Sequence, residues 1–476
     1  MVFSSFSFLF VFLPLFFLGY GLIRNIFYQN IYLFVASLTF YYVGEKRQIW
    51  ILIASILINY GFGLLVDRAK RKGRVLLLGP KSLVGCCVVA NLILLGYFKY
   101  ITFLTTNVAV LAHGVGVASP VSIIHAALPL GISFYTFHAL SYVIDVYRGE
   151  VKATRNLINV GTYFTMFPQL VAGPILRYNM IASAMVTRVV TADMMARGIY
   201  LFILGLAKKV VFADTFAMTA DAIFALPTGQ VNFGIAWLGT LAYTFQIFFD
   251  FWGYSQMAIG LGLMMGFNYP RNFDYPYISR TIQEFWRRWH MTLSFWFRDY
   301  VYIPLGGNRK GLHRTYCNLI AVFFLTGLWH GASWTFVVWG LWHGGFLLLE
   351  RIFSSIFKRL PAVVLHLYTL AVVVFGWVLF RATSFREALL FWKIMVGAKG
   401  FGSSGVTQFA SPGILILFAA AALFSTPLPA IISAWIVARQ PRLGMSAALG
   451  AASIIFLISG MKVLSGSFSP FLYFRF

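Results

Sequence analysis

Charge is what this chain has least of. Only 11% of its 476 residues are charged, and just 13 are Asp or Glu, whereas a soluble domain carries about a quarter charged residues. That scarcity excludes an ordinary soluble globule. Cysteine is almost as rare: Cys86, Cys87 and Cys317 form neither a disulfide framework nor a metal-site spacing, so no metal is expected. No Gly-x-Ser-x-Gly elbow, P-loop or His-Glu-x-x-His motif occurs. No Pro-, Gly- or Ser-rich linker divides the chain, and no polar stretch is long enough to fold alone, so one domain over residues 1–476 is expected.

Apolar sequence is abundant. Hydrophobic residues make up 60% of the chain and the mean hydropathy is +0.81. With roughly 20 apolar residues needed per crossing, candidate spans fall at 3–23, 30–44, 48–66, 83–104, 128–147, 194–213, 234–265, 316–332, 336–350, 362–380, 412–434 and 447–464. The expected fold is all-α: a polytopic integral membrane protein with eleven or twelve transmembrane helices. The opening "MVFSSFSFLFVFLPLFFLGYGLIR" has no basic leader and no small-residue cleavage site, so it reads as a retained first span. The formal charge of +24 fits Lys and Arg gathered in cytoplasmic loops and needs no nucleic-acid partner. The run "DRAKRKGR" (67–74) is then cytoplasmic and the N-terminus outside. Glu45-Lys46-Arg47, on the outer side, runs against that alternation. Helix breakers cluster in "MFPQLVAGPILRY" (166–178) and "YIPLGGNRKG" (302–311), which predicts re-entrant elements lining an internal cavity.

The densest polar cluster is "EFWRRWHMTLSFWFRDYVYIPLGG" (284–307). Read as one helix, it puts His290 on a face with Trp286, Arg287, Ser294 and Phe297. Glu284 precedes Arg287 and Arg288 at ion-pairing distance. Further on, His330 lies in a stretch from 315 to 349 without Lys, Arg, Asp or Glu. An ionisable group there is a functional-site candidate by default. His343 in the echo "LWHGGF" reads as core. Two histidines among aromatics, with no carboxylate pair beside them, suit general-base transfer.

The same stretch, followed by "GLWHGASW", closely resembles the membrane-bound O-acyltransferase superfamily, and within it the bacterial alginate O-acetyltransferase membrane-subunit branch. Six further blocks match in order: "MVFSS", "LPLGISFYTFHALSYVIDVYRG" (128–149), "MFPQLVAGPILRY", "GLAKKVVFAD" (205–214), "FDFWGYSQMAIGLGLMMGF" (249–267) and "GWVLFRATSFREAL" (376–389). Trp252, Gln256 and His138 depart from the branch, where serine, aspartate and glutamine are more familiar. Within the single membrane domain, this reading separates N-terminal helices (1–127), a catalytic core with re-entrant elements (128–350), and C-terminal helices with an aromatic tail (351–476).

The resemblance implies a bacterial inner-membrane enzyme that moves an acetyl group from cytoplasmic acetyl-CoA through a central tunnel, for O-acetylation of an exported polysaccharide such as alginate or cellulose. No bound cofactor is implied. Transfer to peptidoglycan or teichoic acid is the alternative within the superfamily. A transporter or flippase is the alternative outside it, but paired broken helices in two related halves are missing from the sequence. The family's principal histidine corresponds to His330, the expected base, and its second polar position to His290, expected to orient the acyl carbonyl or the acceptor. Forty residues apart, the two meet only if their segments fold together. Asn318 is a candidate for polarising the carbonyl, and Arg287, Arg288, Arg298, Arg309 and Lys310 for holding the donor's phosphates. Expected partners are a periplasmic SGNH-like acetyltransferase or esterase, the polysaccharide export machinery and membrane lipids. The terminal "SPFLYFRF" resembles the Phe-x-Tyr-x-x-Phe ending of small proteins that accompany teichoic-acid D-alanylation, which makes Tyr473 a candidate acyl relay seated by its aromatic neighbours.

Overall fold

All twelve candidate spans lie on helices in the computed structural model, which describes residues 2–116, 122–227 and 229–466. Among the described residues there is no strand, only an isolated bridge between Val75 and Leu78. Within the described residues, four helical stretches are long and apolar enough to cross a membrane by length and composition: Ile26–Lys72, Pro80–Gly114, Ala362–Arg381 and Pro441–Leu464. The expected span 412–434 is broken into Pro412–Phe424 and Leu428–Arg439, bent by 66°, and makes a fifth if taken as one crossing. The remaining candidates fall short of that measure for a physical reason. Ser7–Leu22 is apolar but short, Ile132–Arg148 is also short, and Trp334–Ile352 carries Trp, His and Gly, which lower its hydropathy.

The chain groups into two compact units that do not follow its linear order. One comprises Met1–Ile199 with Ala258–Pro270, the other Tyr200–Met257 with Arg271–Phe476. The sequential division at 127/128 and 350/351 does not coincide with this grouping.

In the first unit, residues 166–176 are all buried around the four-residue helix Phe167–Leu170. Irregular backbone is thus enclosed by protein, as a re-entrant element requires. Phe167 packs edge-on to Phe12 and Phe16 of the first helical segment. His138, one of the departures, is fully buried in Ile132–Arg148 against Tyr163, ring centroids 5.3 Å apart.

The second predicted re-entrant element is different. Most of residues 303–311 are exposed, with Gly307 the one buried member, so "YIPLGGNRKG" is a surface turn. Its Pro, Asn, Arg and Lys residues explain this: the segment carries polar groups that water satisfies.

Candidate functional site

The second unit holds every candidate residue that the structure describes. Its frame is a helical hairpin, Leu312–His330 and Trp334–Ile352, joined by three residues and started again by Ser333, whose side chain accepts from the Thr335 N–H. Small residues let the two backbones approach. A Cβ on Gly327 would lie within 2.4 Å of the Phe336 carbonyl oxygen, and one on Gly340 within 2.3 Å of the Phe323 carbonyl oxygen. Gly327→Leu is accordingly expected to force the hairpin apart, lowering stability by about 1–3 kcal/mol or more; loss of monodisperse protein and a lower melting temperature in detergent would register it.

His330 is the last residue of the first hairpin helix and is 3% exposed. Its ring meets Trp329 and Trp339 at centroid distances of 4.9 Å each, and Phe380 at 5.2 Å, all near edge-on. Trp339 and Trp377 continue the aromatic layer. His343 sits deeper in it, fully buried between Trp286 and Trp339, in agreement with a core role.

Around His290 the structure departs from the expected continuous helix. Ile282–Arg288 and Met291–Phe297 are separate helices of seven residues. Trp289 between them is extended, and His290 takes φ +45°, ψ +52°, a left-handed conformation uncommon outside glycine but more accessible to His, Asn and Asp. Trp286 and His290 therefore do not share one helical face.

The break has an identifiable cause. Residues 272–274 run beside the segment: Asp274 N–H donates to Arg288 O at 3.0 Å, and Met291 N–H donates to Asn272 O at 2.9 Å. The Asn272 side chain adds a second acceptor, Oδ1, to the Thr292 N–H at 3.3 Å. Asn272 thus satisfies the first amides of Met291–Phe297, which would otherwise be orphans. At the other end, Thr281 caps Ile282–Arg288 through the Glu284 N–H. Glu350, from the far end of the hairpin, accepts from the N–H groups of Ile282 and Gln283. A carboxylate at a helix N-terminus is favourable for both hydrogen bonding and charge.

His290 is fully buried, edge-on to Phe251 at 4.6 Å and 6.0 Å from the Trp329 ring. Trp329 therefore touches both histidines, and two residues forty positions apart share one aromatic enclosure. Asn272, Glu350 and Ser255 complete the setting and were not visible in the sequence reading. Glu350 stood one residue beyond the uncharged stretch; Asn272, in "NYPRNFDYPY", has no periodic relation to His290.

The other candidates are distributed unevenly. Asn318 donates its amide to the Gly307 carbonyl at 2.9 Å, so its N–H is committed to the surface turn and not aimed at a carbonyl substrate. Arg288 pairs with Glu284 at 3.0 Å and Asp274 at 3.3 Å, and Arg298 with Asp299 at 2.6 Å. Arg287, Arg309 and Lys310 are exposed and make no ion pair among the described residues. Tyr473 lies outside the described residues. The departures Trp252 and Gln256, one helical turn apart, both serve Lys208: its ammonium lies 4.2 Å from the Trp252 ring centroid and donates to Gln256 Oε1.

A helical membrane protein with two buried imidazoles in an aromatic enclosure has the makings of a base-assisted transferase. The comparison with known proteins agrees. The profile of the membrane-bound O-acyltransferase family matches residues 9–392, and the chain belongs to that family: it is an integral membrane O-acyltransferase. Over the full length of both chains it is 41% identical to the probable alginate O-acetylase of Pseudomonas putida. It is 35% identical to the peptidoglycan O-acetyltransferase of Helicobacter pylori, over 86% of this chain and 82% of that one. The teichoic acid D-alanyltransferase of Streptococcus thermophilus is 34% identical, over 44% of this chain and 54% of its own.

Proposed function

We propose that this protein acetylates an exported polysaccharide, alginate or a polymer such as cellulose, using acetyl-CoA supplied on the cytoplasmic side of a bacterial inner membrane. The observation that carries the reading is the enclosure of His290 and His330 around Trp329, in a chain similar end to end to an alginate O-acetylase. His330 acts as the base. It takes the proton of an acceptor hydroxyl as that oxygen bonds to the thioester carbonyl carbon; the C–S bond breaks, and the proton passes to the departing thiolate. Burial among Trp329, Trp339 and Phe380 keeps competing water away from the thioester. A tunnel leading to the two histidines belongs to this proposal, as does delivery of the acetyl group to a periplasmic SGNH-like partner associated with the export machinery. Asn318 is better regarded as a brace for the 305–307 turn.

Membranes containing the protein, given labelled acetyl-CoA, are expected to label an exported polysaccharide. Label in peptidoglycan would move the acceptor to the class named for the Helicobacter relative, and no label in any polymer would overturn the acetyl-transfer reading.

Exposed Arg287, Arg309 and Lys310 are the cluster members open to a phosphate, whereas Arg288 and Arg298 already hold carboxylates. Single changes to Gln at Arg287, Arg309 or Lys310 are expected to raise the donor KM about three- to tenfold with little change in kcat, the pattern of a lost binding contact. An unchanged KM together with an altered topology, read by reporter fusions, would instead assign these residues to membrane orientation.

A further inference from the structure

The contacts of Asn272 decide which nitrogen of His290 carries a proton. The Thr292 backbone N–H faces the Asn272 carboxamide at 3.3 Å, and a backbone N–H only donates, so the atom facing it is the oxygen. The other branch, Nδ2, donates to Ser255 Oγ at 3.0 Å, which agrees with that orientation. The Thr292 hydroxyl donates to the same Oδ1 at 2.9 Å. His290 Nδ1 stands 3.0 Å from this oxygen. A carboxamide oxygen has no hydrogen to give, so Nδ1 must be the donor. In a neutral imidazole, Nε2 then offers only a lone pair. That Nε2 is buried, and it has no hydrogen-bond partner among the described residues.

We propose that Asn272 is a positioning residue that fixes His290 as the Nδ1–H tautomer, making Nε2 a hydrogen-bond acceptor reserved for the hydroxyl of the acetyl acceptor. The inference rests on the acyltransferase reading for its substrate, and on the carboxamide geometry alone for the tautomer. A bare Nε2 has no proton to give a carbonyl oxygen. Of the two tasks open to His290, orienting the acyl carbonyl or orienting the acceptor, only the second remains. The group it takes is an alcohol or phenol O–H, which Nε2 holds as the acceptor docks; its single hydrogen then turns from Nε2 to His330, which removes it as the oxygen bonds to the carbonyl carbon. Asn272 acts through His290 and touches no reacting atom.

The test reads the ring directly. Solid-state NMR of the full-length protein in bilayers, with ¹⁵N-labelled histidine, isolates His290 as the signal lost in His290→Gln. Expected is a protonated Nδ1 with a bare Nε2 in the wild type, and redistribution toward the Nε2–H form in Asn272→Leu. An Nε2–H ring in the wild type overturns the proposal whatever the substrate proves to be. A chain that transfers no acetyl group still gives this readout, so the two failures are distinguishable.

In turnover, Asn272→Leu present at wild-type level is expected to lower kcat by about 10²-fold, the upper end of the loss typical when an outer partner that fixes a histidine's tautomer is removed, with the donor KM changed less than about twofold. Asn272→Asp keeps an oxygen opposite Nδ1 and is expected to retain activity within about tenfold of wild type. Equal losses in the Leu and Asp variants, or a loss carried by the donor KM, would overturn the positioning role.

Discussion

Membranes carrying His330→Ala are expected to transfer no measurable acetyl group to polymer, a loss of about 10²–10⁴-fold if the imidazole is the general base. The alcohol is the weak partner in this reaction: a thioester is already activated, whereas a hydroxyl attacks poorly until its proton is taken. Loss of activity must be separated from loss of packing, because the ring fills a space bounded by Trp329, Trp339 and Phe380. Truncation to Ala leaves a cavity costing about 2–4 kcal/mol. His330→Phe keeps an aromatic ring in that space and removes only the nitrogens, so it should reach the membrane at normal level and still be inactive. Normal acetylation by either variant would remove His330 from the mechanism. His290→Ala should lose less, since an orienting group is less essential than the base.

The second large effect is expected at Tyr473. We propose that the C-terminal Phe471-x-Tyr473-x-x-Phe476 carries the acetyl group between the thioester and a periplasmic partner. The phenol oxygen bonds to the acetyl carbon, the C–S bond breaks, and the phenolic proton leaves through the base to the thiolate. A second transfer to the partner's hydroxyl then frees the tyrosine. Tyr473→Phe keeps the ring and deletes the nucleophile, so transfer to polymer should vanish while insertion and protein level stay unchanged. Full activity of that variant overturns the relay. So does intact-mass analysis that finds no acetylated C-terminal peptide after incubation with acetyl-CoA in the partner's absence.

Local pattern carried the sequence reading a long way and failed at identifiable places. Apolar runs placed all twelve candidate spans on helices because burial in lipid or protein favours the same apolar composition. The uncharged stretch around His330 was legible because an ionisable group there is costly. At His290 the same logic gave a continuous helix, and the structure has a left-handed residue between two short ones. Helical periodicity is a local rule, and the interruption is imposed from outside by Asn272. Glu350 escaped for the same reason: its task is at Ile282 and Gln283, 67 or more positions away. Helix breakers flanked by apolar sequence suggested two re-entrant elements alike, yet 166–176 is buried and most of 303–311 is exposed. What separates them is the Asn-Arg-Lys content of the second, a charge signal that deserved more weight than the Pro and Gly around it.

The seven-residue helices on either side of His290 also bear on how the protein comes into being. Neither is long enough to persist in isolation, and their first amides are satisfied by Asn272, made earlier in synthesis, and by Glu350, made later. A growing chain inserted only as far as His330 therefore has both imidazoles but lacks the carboxylate that finishes the first short helix. On the proposed mechanism, competence cannot precede Glu350, nor Phe380 against the His330 ring, nor the Tyr473 relay, so an unfinished chain in the membrane is spared from spending thioester on water.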